Sequence, residues 1–194
     1  MTESVQPIKS SKKLHELEHE LLIHGRGREN YTIFMVSMKC LLRMSDVLKL
    51  KYTQVYDKRG KVIDNVYTHD KKTGKVDILD LSVLHPELSA YHDWLMAHRI
   101  HSIWLFPASR NVNKPVKRST YYMIIKRVGA FIGLHTGTHT GRKCGAYLLY
   151  KATGNLALVM HALHHSSEAV TLHYLGITNP VQYNALHNLW IHND

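Results

Sequence analysis

The segment from His139 to Tyr174, HTGRKCGAYLLYKATGNLALVMHALHHSSEAVTLHY, determines how the rest of the chain is interpreted. It opens with His139 and Arg142, and residues three positions apart lie on the same face of a helix. A helix N-terminus carries partial positive charge, so these two side chains can converge there on one anion. His165 and Tyr174 follow in the same segment. The pattern predicts an anion site built on helices.

The composition describes an ordinary globular chain with a strong positive charge. Its 194 residues are 44% hydrophobic and 21% charged, and the formal net charge is +10 with histidines counted as neutral. This length is enough for one sizeable core, and we predict one domain over residues 11–194 after a flexible N-terminus at 1–10. A basic balance of this size indicates a polyanionic partner such as nucleic acid, or else a solvated basic surface.

Many basic residues lie in clusters beside turn residues or at the ends of predicted elements, where they can contact phosphates. The clusters are Lys9/Lys12/Lys13, Arg26/Arg28, Lys49/Lys51, Lys71/Lys72/Lys75 and Lys114/Lys117/Arg118.

Several classes of protein are disfavoured. The longest apolar runs, such as 146–150, are too short to cross a bilayer, and the polar N-terminus has no apolar segment typical of a secretory signal. Cys40 and Cys144 have no nearby cysteine partner, which argues against a disulfide framework and against a cysteine-based zinc site. We therefore expect a cytoplasmic protein with no membrane partner.

Apolar periodicity predicts a mainly helical, α+β single domain with a small three-stranded antiparallel sheet. The predicted strands are Tyr52–Tyr56, Val62–Thr68 and Val76–Leu81, with a β-hairpin tip at Lys71–Gly74, and residues 107–117 are predicted to be a loop. Ser119 is the predicted N-cap of the helix that follows this loop. The helices are predicted at about 12–23, 29–42, 47–51, 86–99, 119–132, 139–152, 155–164, 167–174 and 180–191.

Five short patterns resemble those of the tyrosine recombinase (phage integrase) family. LRMSDVL at 42–48 is similar to the family's L-R-x-S-E-L-L box, HTGR at 139–142 to its H-x-x-R box, and LHHSS at 163–167 to its L-G-H-S-S box. Tyr174 stands where the family has its nucleophile, and Lys72, at the predicted hairpin tip, matches its catalytic lysine. The resemblance extends over about residues 12–180 and implies the family's catalytic fold.

The resemblance implies a site-specific DNA recombinase that breaks and rejoins DNA through a 3′-phosphotyrosyl intermediate, with no metal or other cofactor. Phosphoryl transfer depends mainly on positioning and electrostatics, and Arg43 and Arg142 can offer forked donors to the non-bridging phosphate oxygens. A tyrosine has an ordinary pKa of about 10, so Tyr174 needs a base, for which we expect His139. His165 is then expected to hydrogen-bond the scissile phosphate.

Lys72 is expected to protonate the departing 5′-oxygen, although Lys71 or Lys75 can take this role instead. The other residues also have plain structural explanations. Arg43 can support helix ends by a salt bridge, and His165 and Tyr174 can be ordinary core residues.

The sequence departs from the family pattern at two glycines. Leu41 stands where glycine is typical, and we expect a helix to replace that turn; His164 replaces the glycine of L-G-H, where it can crowd the backbone of His165. The short segment before Arg43 leaves no room for the family's N-terminal DNA-clamping domain. The chain therefore resembles the short recombinases that consist of the catalytic domain alone, such as the fimbrial switch invertases. The alternatives are a truncated remnant or an expressed fragment of a longer protein.

We expect double-stranded DNA as the partner, with a homotetramer on DNA and a monomer when free in solution. A helix at 180–191 can dock onto a neighbouring protomer or onto its own core. The expected DNA contacts are basic and polar residues of the hairpin tip, the 107–117 loop and the start of the next helix: Lys71, Lys75, Lys114, Lys117, Arg118, Ser119, Thr120 and Tyr122.

Two other functions are compatible with these patterns, and two histidine motifs resemble metal sites. A type IB topoisomerase shares the nucleophile chemistry, and an inactive DNA-binding protein can share the fold. HELEH at 15–19 matches the H-E-x-x-H zinc motif, but it reads better as the polar face of an amphipathic helix. His161 and His165 also stand four apart, which is an ordinary coincidence in a chain with 16 histidines.

Overall fold

The structure is a computed structural model that describes residues 5–69 and 76–177, and within these ranges it contains nine α-helices and four short strands. The helices are α1 (Ser11–Ile23), α2 (Gly27–Lys39), α3 (Met44–Val47), α4 (Tyr52–Val55), α5 (His85–Ala97), α6 (Arg118–Phe131), α7 (Thr140–Thr153), α8 (Leu156–Leu163) and α9 (Glu168–Tyr174). The strands are β1 (Asn65–His69), β2 (Val76–Asp80), β3 (Pro107–Ala108) and β4 (Asn111–Pro115). Among the helices in the described ranges, none is long and apolar enough to span a membrane.

The first two helices pair through apolar faces. The hydroxyl of Ser10 caps α1 by accepting a hydrogen bond from the backbone N–H of Lys13 at 3.3 Å. Leu14, Leu17 and Leu21 then lie on one buried face of α1, as spacings of three and four residues dictate. This face packs on α2, which is buried along nearly its whole length and forms the centre of the core.

Helix α7 lies directly against the backbone of α2 because glycine occupies two of its contact positions. A Cβ atom added to Gly145 would come within 1.9 Å of the carbonyl oxygen of Met38, and one added to Gly141 within 3.1 Å of that of Phe34. The close approach fixes the N-terminal end of α7 on the rigid centre of the domain.

A second, smaller core joins the last three described helices. It consists of Ala146 on α7, Val159 and Leu163 on α8, and Leu175 directly after α9, all of which are fully buried. This cluster holds the C-terminal end of α9 beside α7.

The prediction of a mainly helical α+β fold is confirmed, but the predicted three-stranded sheet is wrong in its strand count. Residues 52–55 form helix α4 and not a strand, and Tyr56 is its C-cap. Tyr52, Val55 and Tyr56 have the spacing of one helical face, and the hydroxyl of Tyr56 donates to the carbonyl oxygen of Leu88 at 2.7 Å. Tyr56 meets Val62 only in an isolated bridge. The sheet is therefore the antiparallel ribbon β1–β2, and a second ribbon, β3–β4, lies in the predicted 107–117 loop.

Two helix ends also differ from the predictions. Lys117 is the N-cap of α6, so Ser119 lies inside the first turn and does not cap it. Helix α2 ends at Lys39, and Leu41 adopts a left-handed conformation with φ of 52°. The turn before Arg43 is thus kept, with leucine in a conformation that favours glycine. The predicted hairpin tip at 71–74, with Lys71, Lys72 and the neighbouring Lys75, and the predicted helix at 180–191 lie outside the described residues.

Candidate active site

Arg142 is buried at the N-terminal end of α7, with 4% of its surface exposed. Its Nη2 donates to the carbonyl oxygen of Leu163, at the end of α8, at 3.0 Å. Its buried Nε has no hydrogen-bond partner among the described residues. One side of the guanidinium therefore ties α7 to α8, and the other retains a donor for an anion.

His139 occupies the N-cap position at the same end of α7, without a capping hydrogen bond from its side chain, and is surrounded by positive charge. Burial lowers the pKa of His139, and the cationic groups of Arg118, Arg142, Lys143 and Arg43 lower it further. The imidazole is thus neutral at pH 7 and can accept a proton.

His165 follows a left-handed residue, His164, whose φ is 54°. The Nδ1 atom of His165 lies 3.1 Å from Oγ1 of Thr171, and that hydroxyl donates its own proton to the carbonyl oxygen of Ser167 at 2.9 Å. Nδ1 must therefore carry the proton in this contact, which leaves Nε2 as an acceptor in the neutral ring. His165 can donate from Nε2 to a phosphate only when the ring is protonated, although burial lowers its pKa, as do Arg142 and Arg43.

Tyr174 is the last residue of α9 and packs against the same groups. Its ring meets the edge of His165, with ring centroids 5.3 Å apart and planes at 86°. Its buried hydroxyl has no hydrogen-bond partner within residues 5–69 and 76–177. Burial raises the pKa of Tyr174, while the charges of Arg142 and Arg43 act to lower it. Both arginines are thus close enough to influence the phenol.

Five of the six predicted catalytic residues gather in one place by these contacts and charge interactions. They come from the turn before α3, the start of α7, the α8–α9 turn and the end of α9: Arg43, His139, Arg142, His165 and Tyr174. The sixth, Lys72, lies outside the described residues.

The predicted DNA contacts that the structure describes are exposed, and one of them adjoins this cluster. Nη2 of Arg118 donates to Oγ1 of Thr138 at 3.2 Å, directly beside His139. The other residues line the surface of β4 and the first turns of α6: Lys114, Lys117, Ser119, Thr120 and Tyr122.

The carboxylate that would act as the base of the zinc-like motif on α1 is engaged elsewhere. Glu16 pairs with Lys13 at 2.7 Å, while His15 and His19 are exposed. Within the described part of the chain, no three metal-ligating side chains are grouped around one point.

Comparison with known proteins settles the family. A family model described as "Phage integrase family" matches residues 11–179. The chain belongs to the phage integrase family. It is 33% identical over 175 residues to the probable integrase/recombinase YoeC of Bacillus subtilis (strain 168), covering 89% of this chain and 90% of that protein. The chain is therefore a tyrosine recombinase catalytic domain.

Solved recombinase structures have the same fold as this domain. The XerH site-specific recombinase in a post-cleavage complex with a palindromic difH substrate aligns with a TM-score of 0.74 and 19% identity, over 99% of this chain and 55% of that one. The XerA recombinase aligns with a TM-score of 0.70 and 20% identity, over 100% of this chain and 68% of that one. The chain thus spans little more than half of the XerH chain.

The sequence patterns did not indicate Lys143, whose side chain contacts the ring of Tyr174. Lys143, next to Arg142, is buried, and its Nζ lies 4.8 Å from the centroid of the Tyr174 ring. Its Nζ also donates to the carbonyl oxygen of Val5 at 2.7 Å, in a segment without regular secondary structure. In the sequence, Lys143 resembles any helical lysine; the one available signal was its position directly after Arg142.

Proposed function

We propose that this recombinase domain cleaves one DNA strand by attack of Tyr174 on a backbone phosphate and rejoins strands by the reverse reaction. The observation that carries the proposal is the buried hydroxyl of Tyr174, which has no hydrogen-bond partner among the described residues and is subject to the charges of Arg142 and Arg43. A phosphate between the arginines and the phenol would supply the missing partners. The 3′-phosphotyrosyl product retains the energy of the broken bond, so neither a metal nor ATP is needed.

The arginines act on the transition state. Negative charge develops on the non-bridging oxygens during attack, and prearranged cationic donors stabilise that charge without reorganising. Arg142 offers its unpaired Nε, and Arg43 approaches from an exposed position before α3.

Proton transfer is assigned to the remaining residues. His139, neutral because its pKa is lowered, takes the proton of Tyr174, and His165 donates to the phosphate once bound anionic charge favours its protonated ring. Protonation of the leaving 5′-oxygen is assigned to Lys72, with Lys71 and Lys75 as alternatives, on the family pattern alone.

Double-stranded DNA is the proposed substrate, and the exposed start of α6 is the proposed contact surface. Replacing Lys117 with alanine should lower the slope of log affinity against log salt by about one, because one phosphate contact is lost. Lys58, in the exposed turn after α4, is a control whose replacement should leave the slope unchanged. A homotetramer on DNA and a cytoplasmic location remain part of the proposal.

Covalent trapping tests the nucleophile. The full chain is incubated with nicked DNA duplexes from the neighbourhood of its own gene, and the denatured mixture is examined for a protein–DNA adduct. Tyr174→Phe should abolish the adduct and leave DNA binding intact. Tyr150→Phe is the matched control, because Tyr150 is a partly buried tyrosine of the same small core. An adduct that survives Tyr174→Phe contradicts the assignment.

Trapping together with native sizing on DNA, a strand-exchange assay and a supercoil-relaxation assay separates the rival functions. A recombinase should form adducts in assemblies of several protomers and exchange strands between duplexes, whereas a topoisomerase relaxes supercoils as a single protomer. An inactive DNA-binding protein would bind the duplex and form no adduct.

A further inference from the structure

Lys143 is a buried cation that faces the proposed nucleophile. Only 4% of its surface is exposed, and its Nζ lies 4.8 Å from the centroid of the Tyr174 ring. Its Nζ also donates to the carbonyl oxygen of Val5 at 2.7 Å, so the ammonium is held in a defined position. Burial lowers the pKa of Lys143 from its ordinary 10.5. A buried ammonium is unfavourable unless its surroundings compensate the charge, and here a carbonyl oxygen and an aromatic face both contact it.

An ammonium over an aromatic face favours the ionised form of that ring. The negative π-face of a phenol already attracts a cation, and a phenolate carries additional charge into the ring. The attraction is stronger where water is excluded, as between α7 and α9. Lys143 therefore stabilises the state that Tyr174 must approach when it attacks phosphorus.

We propose that Lys143 is a positioning residue that holds the ring of Tyr174 against α7 and favours its phenolate during strand cleavage. The effect on catalysis rests on the proposed function, in which Tyr174 is the nucleophile. The coupling between the two side chains does not depend on DNA.

Several other groups act on Tyr174 from the surrounding elements. Arg142 on α7 and Arg43 before α3 favour the phenolate, the thiol of Cys144 on α7 opposes it when ionised, and the edge of the His165 ring adjoins the phenol from the α8–α9 turn. The arginines are the groups assigned to the phosphate. Lys143 differs from them because it lies over the ring of Tyr174, 4.8 Å from its centroid.

Fluorine NMR can measure this coupling in the full chain without DNA. Tyr174 is replaced by 3,5-difluorotyrosine, whose phenol is more acidic than that of tyrosine. Lys143→Met should raise the pH at which this phenol titrates by about one unit, a tenfold fall in its ionisation constant. Lys143→Arg, which keeps the charge, should restore the titration towards that of the original chain.

Lys9→Met is the matched control. Lys9 donates to the carbonyl oxygen of Gly176 at 2.8 Å and lies over the ring of Tyr147 at 5.3 Å, so it is a cation near the same segment that does not face Tyr174. Its removal should leave the titration in place. An unchanged titration in a folded Lys143→Met or Lys143→Gln protein, with folding checked by circular dichroism, overturns the proposal.

A reciprocal measurement tests the proposal if Lys143→Met and Lys143→Gln both fail to fold. Coupling between two sites acts equally in both directions, so the ammonium of Lys143 should titrate at higher pH in the difluorotyrosine protein, whose phenolate is already formed, than in the native chain. Carbon NMR of labelled lysine reads this directly, and equal values overturn the proposal. Absence of a DNA adduct in every protein, together with a clear fluorine shift, would refute the proposed function and leave the Lys143–Tyr174 coupling standing.

Discussion

Replacing Gly145 with alanine should force α7 away from α2. The added Cβ would lie 1.9 Å from the carbonyl oxygen of Met38 and 2.7 Å from Cδ2 of Leu41, whereas ordinary van der Waals contact is 3.4–4 Å. The Met38 contact is with helical backbone, which cannot rotate away. The helices must therefore separate by more than a side-chain adjustment can absorb.

Gly141→Ala provides an internal reference on the same helix. Its Cβ would meet the carbonyl oxygen of Phe34 at 3.1 Å and Cβ of Ser37 at 3.3 Å, which a small shift relieves. Both substitutions gain about 1 kcal/mol of helix propensity, so their difference isolates the steric effect. Overpacking of this kind costs about 1–3 kcal/mol or more. We expect Gly141→Ala within about 1 kcal/mol of the original chain and Gly145→Ala destabilised by about 2 kcal/mol or more.

Urea unfolding followed by circular dichroism measures both free energies of unfolding. Because Arg142 lies on the displaced helix, covalent trapping should also be weaker in Gly145→Ala at temperatures where that protein is still folded. Equal stability of Gly145→Ala and Gly141→Ala would refute the claim that α7 rests on the backbone of α2.

Three further predictions follow from backbone conformation and from charge. His164→Gly should raise stability by about 1 kcal/mol, because glycine adopts the left-handed conformation of this residue without strain; a lower melting temperature would contradict this. Burial raises the pKa of Glu29 to about 7 against the pull of Arg26, so the folded state favours the protonated acid. This contribution to the free energy of unfolding is fully present below about pH 4.5 and is lost as the pH rises through about 7. The part of the pH dependence that comes from Glu29 should be absent in Glu29→Gln. The lowered pKa of His139 predicts that the trapping rate stays level as the pH falls to its ordinary value of 6.5 and declines only below it; a decline that begins above 6.5 points to another base.

The grouping of the predicted catalytic residues could be anticipated from the sequence because chemistry restricts which residue types can serve. Arg43, Arg142 and Tyr174 lie in short sequence patterns. These patterns can be recognised without knowing how the helices pack. Helix α4 was missed because the alternation of apolar residues in 52–56 fits a strand as well as one helical face, and only the packing of Tyr56 on α5 decides between them.

The supporting residues were not predictable because their roles arise from distant contacts. Lys143 is buried by a segment 138 residues away in the chain, and nothing in its neighbours indicates this. Gly145 looks like a weak point in a helix until α2 is placed beside it. Leu41 and His164 adopt left-handed backbone conformations at turns where the family pattern has glycine. Because neither residue is glycine, the sequence did not indicate these two turns, which the fold nevertheless keeps.

The path of residues 5–9 has a practical consequence for anyone who purifies this protein. Ile8 donates its backbone N–H to Sγ of Cys144 at 3.2 Å, and Gln6 and Pro7 adjoin Gly176, two residues beyond the tyrosine. An affinity tag fused upstream would therefore precede a segment that packs close to Tyr174. Rates measured before and after tag removal should be compared before any variant is ranked.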